Sequence, residues 1–484
     1  MTNAGVARRK VAQGSGWLVT ALAIELLVAC GGGTDAEPSA PQRLAAESGR
    51  QVPIGLCEDY PPESTTPATL SQDLRLVRKL GARVLRVSFG WDDLEPERGR
   101  YDWSSSDQMV ALAEQYGVEL IPYVCYTPAW AATDPGPDFW RSPPRDENAF
   151  AEFMSALASR YRGRIASWEL WNEPDNQEYW TGSAEQYARL AIAGADAVRR
   201  ADPEARVVSG GIAGELDFLR EAFAVPGFAQ AVDVVNLHSY AETWWDHAIE
   251  TIPAYVQAAA EILETSGEGE PLWMAEVGYS SFRRGRHVSE WYEAEFDYEH
   301  TPAFQAVALV RIVTLLLSSA PIELVAWYEL KDLPPTGEVI GDVNNRHLGL
   351  LWPDRRPKPA LAAFAFVQRL FDGPFTVRRA VAAGPEVQIH AFERGDGRLI
   401  VVAWLPTVQQ PRKRSSASAD TRHWRGGVLV ETSRAYAETP MVLDALGRSV
   451  GARVSLEQRD EAVALTGVEL RGGQVRVLVA GGGL

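Results

Sequence analysis

The chain has 484 residues, 46% of them hydrophobic, which is enough for a large core and more than one typical domain, although one eightfold barrel alone takes roughly 250. With 64 Asp and Glu against 47 Lys and Arg the net charge is -17, a field that argues against nucleic acid or an anionic bilayer as the main partner and says nothing about fold. Its 7 His and 3 Cys are scattered without a metal-site spacing, so no metal or other cofactor is expected.

Residues 1–30 read as a processing segment and stay out of the fold argument. Arg8, Arg9 and Lys10 give a basic start, residues 17–29 an apolar run too short for a comfortable membrane span, and Leu27-Val28-Ala29-Cys30 a small-residue approach to a Cys. That approach resembles the lipobox of bacterial lipoproteins. The resemblance implies acylation of Cys30, attachment to a membrane through that lipid, and a place at the cell envelope, in the outer membrane or at the periplasmic face. Residue 31 is Gly rather than Asp, which by the same resemblance favours outer-membrane sorting. Glu25 interrupts the apolar run, and an ordinary secretory signal cleaved nearby is the other reading. Residues 31–51, rich in Gly, Ser, Ala and Pro, are expected to form a flexible tether.

From residue 52 onward, strand-length apolar runs alternate with amphipathic helical patterns, as in a parallel α/β sheet. Strands are expected at 52–56, 83–89, 118–123, 165–170, 206–209, 232–237, 272–275 and 322–327. Helices are expected at 67–80, 107–116, 147–161, 184–200, 216–223, 248–264, 302–319 and 359–370. Eight such pairs over about 320 residues predict a (β/α)8 TIM barrel spanning 52–370. An open doubly wound sheet is disfavoured, because no Gly-rich phosphate loop follows the first strand. After Phe371, short β-branched runs at 386–392, 399–404, 427–431, 462–465 and 474–479 predict an accessory β-sandwich over 371–484. A polar, basic insertion at 409–418 is expected to be a mobile loop within it. Cys57 and Cys125 fall just past strands one and three, with strand two between them, so two buried thiols are expected in place of a disulfide.

Two stretches carry the chemistry. In Trp168-Glu169-Leu170-Trp171-Asn172-Glu173-Pro174-Asp175-Asn176 a strand runs into Pro and Asx residues that open a loop. A carboxylate at that junction is held firmly yet reaches a cleft, which makes Glu173 a candidate for proton transfer. A lone Glu in such a place is more often a surface or capping residue, but Leu272-Trp273-Met274-Ala275-Glu276-Val277-Gly278-Tyr279 sets a second carboxylate in a matching context. One acid and one nucleophile or base are what cleavage of a glycosidic bond requires. Glu173 and Glu276 would face each other from strands four and seven at the C-terminal mouth of the barrel.

Alternation along each strand turns Glu169, Trp171 and Glu173 toward the barrel axis, together with Arg86 and Ser88 on strand two and His238 and Tyr240 on strand six. Trp168 and Trp273, out of phase with the carboxylates, belong between barrel and helices. An Arg inside a barrel needs a carboxylate, so Arg86 should lie near Glu276 or Glu169, in a pair that could equally be structural. Glu169 needs a partner that the sequence does not identify. Aromatic side chains at the same rim suit a sugar, whose apolar faces stack on rings. Trp91, Tyr126, Trp130, Trp140, Trp180, Trp244, Trp245, Tyr279 and Trp327 are candidates for substrate contact, each also open to a packing role. Beyond strand seven, Arg283, Arg284, Arg286 and His287 could bind an anionic sugar such as a uronic acid or pair with the acidic segment 290–299.

Asn172-Glu173-Pro174 after Trp168-Glu169-Leu170-Trp171, joined to Glu276 on strand seven, Arg86 on strand two and Trp327 on strand eight, resembles clan A of the glycoside hydrolases. Within it, Trp91-Asp92-Asp93-Leu94-Glu95-Pro96-Glu97-Arg98-Gly99-Arg100-Tyr101-Asp102-Trp103 is similar to the second-strand loop of family 39 and its neighbours. The likeness covers most of residues 53–370. It implies a retaining mechanism with carboxyl groups roughly 5–5.5 Å apart. By resemblance, Glu173 is the general acid and then the base, kept protonated by the charge of Glu276, and Glu276 is the nucleophile. Asn172 would hold the sugar 2-hydroxyl, Tyr240 or His238 would orient Glu276, and Arg86 would keep Glu276 ionised. The expectation is a lipid-anchored retaining β-glycoside hydrolase that acts on an extracellular or envelope polysaccharide in endo fashion. An exo-acting β-xylosidase-like enzyme and a catalytically inactive polysaccharide-binding lipoprotein are the alternatives.

Overall fold

The structure, a computed structural model, describes residues 49–62, 64–266, 269–318, 321–337, 339–382, 384, 387–407 and 416–482. Cys30, the processing segment, most of the tether and residues 409–415 of the basic insertion lie outside them. Eight parallel strands make the barrel: β1 (Ile54–Cys57), β2 (Val84–Gly90), β3 (Glu119–Cys125), β4 (Ser167–Asn172), β5 (Arg206–Gly211), β6 (Val235–Ser239), β7 (Leu272–Val277) and β8 (Ile322–Tyr328). Their order is β5-β4-β3-β2-β1-β8-β7-β6, and parallel bridges from Val208 to Val234 and from Ile212 to Leu237 close the ring between β5 and β6. Each strand runs one or two residues past its apolar run. The polar residues that end the hydrophobic pattern still pair, and they deliver Cys57, Asn172 and Glu276 to the mouth.

Eight main helices follow: α1 (Pro67–Leu80), α2 (Ser104–Tyr116), α3 (Glu147–Arg160), α4 (Ala184–Ala201), α5 (Leu216–Phe223), α6 (Ile252–Ser266), α7 (Pro302–Ser318) and α8 (Pro359–Leu370). Local chemistry sets their ends. The Thr66 side chain accepts from Thr69 N ahead of the Pro that opens α1, and Ser183 with Gln186 forms a reciprocal capping box on α4. Among the described residues no helix is long and apolar enough to cross a membrane.

One irregularity re-aims β7, the strand that bears Glu276. Pairing between β6 and β7 steps from Asn236 with Trp273 to His238 with Glu276, so one extra residue on β7 forms a bulge that inverts the alternation beyond it. Trp273 therefore points into the barrel, clustered with Val84, Ile121, Val208 and Leu324, and not toward the helices as its phase with Glu276 suggested. Trp168 lies outside as expected, against Phe89 and Tyr161. Cys57 and Cys125 are free and buried.

The C-terminal strands are β9 (Phe375–Arg378), β10 (Ala380–Ala382), β11 (Gln388–Arg394), β12 (Leu399–Trp404), β13 (His423–Glu431), β14 (Met441–Leu443), β15 (Ser455–Arg459), β16 (Ala462–Arg471) and β17 (Val475–Ala480). They form two antiparallel sheets, β10-β13-β16-β15 and β14-β17-β12-β11-β9. In the second sheet, Leu399, Val401 and Leu478 face the first sheet, while Ile400, Val402, Trp404 and Val477 join the core of the barrel. Period-two alternation thus gives the sheet two apolar faces. Trp404 Nε1 donates to Glu250 Oε1 (2.8 Å), and Arg311 Nη2 on α7 donates to the Gln474 carbonyl (3.0 Å). Ser418, at the end of the insertion, donates its N–H to the Glu295 carbonyl (2.9 Å).

Because Trp404 belongs to a core shared by barrel and sandwich, Trp404→Ala should lower the unfolding free energy by about 3–5 kcal/mol while the protein keeps one cooperative transition. Denaturant melts followed by fluorescence and circular dichroism would show it. An early sandwich transition beside an unshifted barrel would contradict the shared core.

Candidate active site

Arg86 on β2 is fully buried inside the barrel. Its Nε and Nη2 donate to Glu169 Oε2 (2.7 Å) and Oε1 (2.8 Å), Nη1 to Glu276 Oε2 (2.6 Å), and Nη2 also to Asn172 Oδ1 (2.8 Å). Its plane lies over the Tyr123 ring, 4.1 Å from the centroid. Arg86 thus pairs with both of the carboxylates named as alternatives. Burial works against its charge, but Glu169, Cys57 and Glu276 outweigh that and raise its pKa well above the ordinary value. Glu169 gains the partners the sequence left open: Arg86, the Gly211 N–H (3.1 Å) and Asn236 Nδ2 (3.1 Å).

Glu276 is held from three sides. Beside Arg86 on Oε2, Tyr240 OH donates to Oε1 (2.6 Å), and the Cys57 thiol approaches Oε2 (3.8 Å). Burial raises the Glu276 pKa, and His238, Arg86 and the Tyr240 bond pull it back against Glu173. Tyr240 stays a neutral donor, since burial and then Glu276 push its pKa well up. The Trp244 ring packs edge-on against Tyr240 (4.7 Å), and its Nε1 donates to Asp342 Oδ1 (3.2 Å).

Alternation fails on β4 at the point where the site needs it to. Trp171 (φ 86°) and Glu173 (φ 43°) take left-handed backbone, a conformation worth roughly 1–3 kcal/mol of strain for a residue with a side chain. The effect is to turn Trp171 away from the axis onto Trp180 (4.8 Å between rings), with its Nε1 donating to the Tyr179 carbonyl (3.2 Å). Asn172 takes the inward place and meets Arg86. Glu173 then projects over the mouth, where Asn176 Nδ2 donates to Oε2 (2.9 Å) and His238 Nδ1 meets Oε1 (2.9 Å). Asp175 ties this loop to the one after β5 by accepting from the N–H groups of Ala213 (2.9 Å) and Glu215 (3.0 Å). A Cβ on Gly211 would lie 1.9 Å from His238 Nε2, so only Gly admits that ring.

One oxygen of Glu173, one of Glu276 and one His238 nitrogen lie within 4.8 Å of one another. Nearest oxygens that close suit the roughly 5–5.5 Å carboxyl spacing of a retaining pair better than the roughly 6.5–9.5 Å of an inverting one. Three such groups could also hold a cation, but Arg86 already supplies the compensating charge. Glu173 is pushed up to about 7, first by burial, against the Asn176 hydrogen bond and Arg86. The leading cause is therefore desolvation and not the charge of Glu276, contrary to the sequence expectation. Burial lowers His238 to about 4, which keeps the ring neutral near pH 7.

Several aromatic candidates are packing residues. Trp91 is buried against Phe150 (5.4 Å) and Phe153 (5.8 Å), with its Nε1 on Glu95 Oε2. Trp180 is buried on Trp171, Tyr279 stacks on His300 (4.5 Å) and donates to Glu242, and Trp327 faces the barrel's outer core. The inward member of that pair is Tyr328, 6.3 Å from the Tyr240 ring. Trp140 is buried, whereas Tyr126, Trp130, Trp244 and Trp245 stay half-buried. Trp291, which sequence reasoning missed, is 58% exposed on the loop after β7. In the same loop Arg286 pairs with Glu293 (3.4 Å) and Arg283 donates to the Gly285 (2.8 Å) and Asp297 (2.5 Å) carbonyls, which favours pairing within the loop over a uronic acid site. Asn236 also went unseen, although it shares its parity on β6 with His238 and Tyr240.

Arg86→Met would strand Glu169 and Glu276, and it should cost about 3–5 kcal/mol of stability. In a double-mutant cycle with Glu169→Leu the combined loss should fall short of the sum. Additive losses in urea melts would show that the pair is not coupled.

The cellulase (glycosyl hydrolase family 5) model matches residues 50–301. Endo-1,4-beta-xylanase A of Phanerodontia chrysosporium is 26% identical over 131 residues, 25% of this chain and 30% of that protein. Endo-1,4-beta-xylanase 3 of Hypocrea jecorina is 28% identical over 139 residues, 26% and 38% of the two chains. The chain thus spans about a third of the length of these curated relatives. Among solved structures, a family 39 glycoside hydrolase from Bacteroides cellulosilyticus superposes with a TM-score of 0.64 at 20% identity, over 89% of this chain and 81% of that one. A monomeric beta-xylosidase from Caulobacter crescentus does so with 0.60 at 20% identity, over 90% and 97%. At such identities these structures speak for the fold. The matching model takes in just over half the chain, including the strands that bear both carboxylates, and the chain belongs to the cellulase family, glycosyl hydrolase family 5, in clan A of the glycoside hydrolases.

Proposed function

We propose that this protein is a retaining β-glycoside hydrolase that cleaves a β-1,4-linked polysaccharide of xylan type outside the cell or at the envelope. The observation that carries the proposal is the closeness of Glu173 and Glu276, within 4.8 Å at their nearest oxygens, on one hydrogen-bonded frame around Arg86. Glu276 attacks the anomeric carbon while Glu173 gives its proton to the departing glycosidic oxygen, which leaves a glycosyl ester on Glu276. Glu173, now a carboxylate, takes a proton from water, whose oxygen displaces Glu276 with overall retention. Arg86 holds Asn172 Oδ1, which leaves the amide NH2 for the sugar 2-hydroxyl.

Two fungal relatives named as endo-1,4-beta-xylanases favour xylan. The exposed Trp291 and the half-buried Tyr126, Trp130 and Trp244 on mouth loops favour a chain long enough to stack beyond the cleaved bond. The second reading, an exo-acting enzyme, draws on the likeness to a beta-xylosidase over 97% of that protein's length. Oligosaccharides as the first products from xylan support the former, and xylose alone the latter. A purely sugar-binding role sits poorly with two buried, hydrogen-bonded carboxylates whose environments differ.

Glu173→Gln and Glu276→Gln should each abolish xylan hydrolysis in a folded protein. Only Glu173→Gln should build up a glycosyl-enzyme from an activated aryl glycoside, detectable by mass spectrometry. In the wild type, kcat/KM on xylan should fall as pH rises through about 7, where Glu173 loses its proton. Full activity in either variant would refute the assignment.

Export and lipid attachment at Cys30 are part of the same reading, resting on Leu27-Val28-Ala29-Cys30. In a Gram-negative host the wild type should fractionate with membranes and Cys30→Ser with the soluble phase; identical fractionation would rule the anchor out.

A further inference from the structure

We propose that Asn236 is a positioning residue for acid/base chemistry: it locks His238 as the Nδ1–H tautomer, so that the proton carried by Glu173 can leave only toward the substrate. This rests on the reading of Glu173 as the acid. The lock follows from donors and acceptors whose identity is fixed. Asn236 Oδ1 accepts from the backbone N–H of Ala275 (2.9 Å), which can only donate. Asn236 Nδ2 meets Glu169 Oε1 (3.1 Å), an oxygen that already accepts from Arg86 Nη2 and the Gly211 N–H. The amide therefore cannot flip, and it presents N–H to the next neighbour, His238 Nε2, at 3.3 Å. Nε2 must then be the ring's lone-pair nitrogen, and the ring's one proton sits on Nδ1, 2.9 Å from Glu173 Oε1. Gly211 closes the ring edge, since even a Cβ there would fall 1.9 Å from Nε2.

The consequence concerns the acid. A His free to change tautomer could offer Nδ1 as an acceptor and take the hydrogen bond of protonated Glu173, turning the proton away from the cleft. The locked ring can only donate to Glu173, so the carboxyl proton has no acceptor on that side. Bulge and lock also meet in one place, because Ala275, which orients Asn236, is the residue before Glu276. Both carboxylates are thus set from the same short segment of β7.

The groups facing Glu173 are Asp175 and Asn176 from its own loop, Arg86 from β2, Glu169 from β4, His238 from β6, Tyr240 just past β6, Glu276 from β7 and Tyr255 from α6. Asn236→Leu changes none of these groups and removes the lock, together with one of the three donors to Glu169 Oε1 and the acceptor of the Ala275 N–H, a loss felt alike by every substrate. With it, kcat on xylo-oligosaccharides or unsubstituted phenyl xyloside, whose leaving groups need a proton, should fall about 10- to 100-fold, a part of what general acid catalysis contributes. Turnover of 2,4-dinitrophenyl xyloside, whose leaving group needs none, should stay within about twofold in its glycosylation step. The basic limb of the pH profile should move up, because a ring able to accept stabilises protonated Glu173. Equal losses on both substrates, or none on either, would overturn the proposal.

A second measurement needs no variant of Asn236 and no activity. In the 15N-labelled wild type, with His238 assigned by comparison with His238→Gln, Nδ1 should appear as the protonated and Nε2 as the unprotonated ring nitrogen at pH 7. A protonated Nε2 would overturn the lock even in an active enzyme. Absence of any hydrolysis by the wild type, with the Nδ1–H signature intact, would instead count against the glycosidase reading alone.

Discussion

Arg86 lies wholly inside the barrel wall, and a guanidinium removed from water is tolerable there only while its charge and its donors are matched. Its bonds to Glu169, Glu276 and Asn172 therefore act as conditions on the fold as well as contacts within it. Glu276 is aimed by a residue that could not be buried without it. From Glu169 the frame extends through Asn236 and His238 to Glu173, so Glu173 and Glu276 hang from one cation, on opposite sides of the mouth. A shift in any member would leave a buried donor or acceptor without its partner, a penalty of about 1–3 kcal/mol for a neutral group and more for a charged one.

The same frame explains how two chemically identical carboxyls can differ. Glu276 has Arg86 and a phenol at its oxygens, whereas Glu173 has an amide and a neutral imidazole, and no cation touches it. Both are desolvated, but only Glu276 receives a full opposing charge at hydrogen-bond distance. Proximity of the two acids raises the Glu276 pKa, so it narrows this difference and does not create it.

Much of this was legible in the sequence because periodicity reports burial. Eight apolar runs alternating with helical patterns specify the barrel, and strand-end carboxylates stand out where such runs stop. Arg86 could be assigned to a carboxylate because an unpaired cation in that place is untenable. What escaped was whatever breaks the period. An extra residue on β7 sent Trp273 inward, and left-handed backbone at Trp171 exchanged the facings of Trp171 and Asn172. Neither leaves a Gly or Pro to betray it. The aromatic residues misled for another reason: the mouth loops are long enough to hold cores of their own, such as Trp91 with Phe150 and Phe153, or Tyr279 with His300 and Phe304. A ring in a loop is not thereby at a surface.

The sandwich sheet β14-β17-β12-β11-β9 lends one face to its partner sheet and the other to the barrel. The two parts are therefore not beads on a string. Truncation after α8 would bare Phe366, which lies against Gly447, and the side of α7 that meets β11 and β17, and would leave Arg311 without its Gln474 carbonyl, so a minimal catalytic fragment ending there should be poorly soluble. Swapping the C-terminal part for a binding module of different sheet geometry meets the same obstacle. For this chain the smallest transplantable unit is barrel and sandwich together, and a new function is more readily grafted onto the mouth loops than onto the junction.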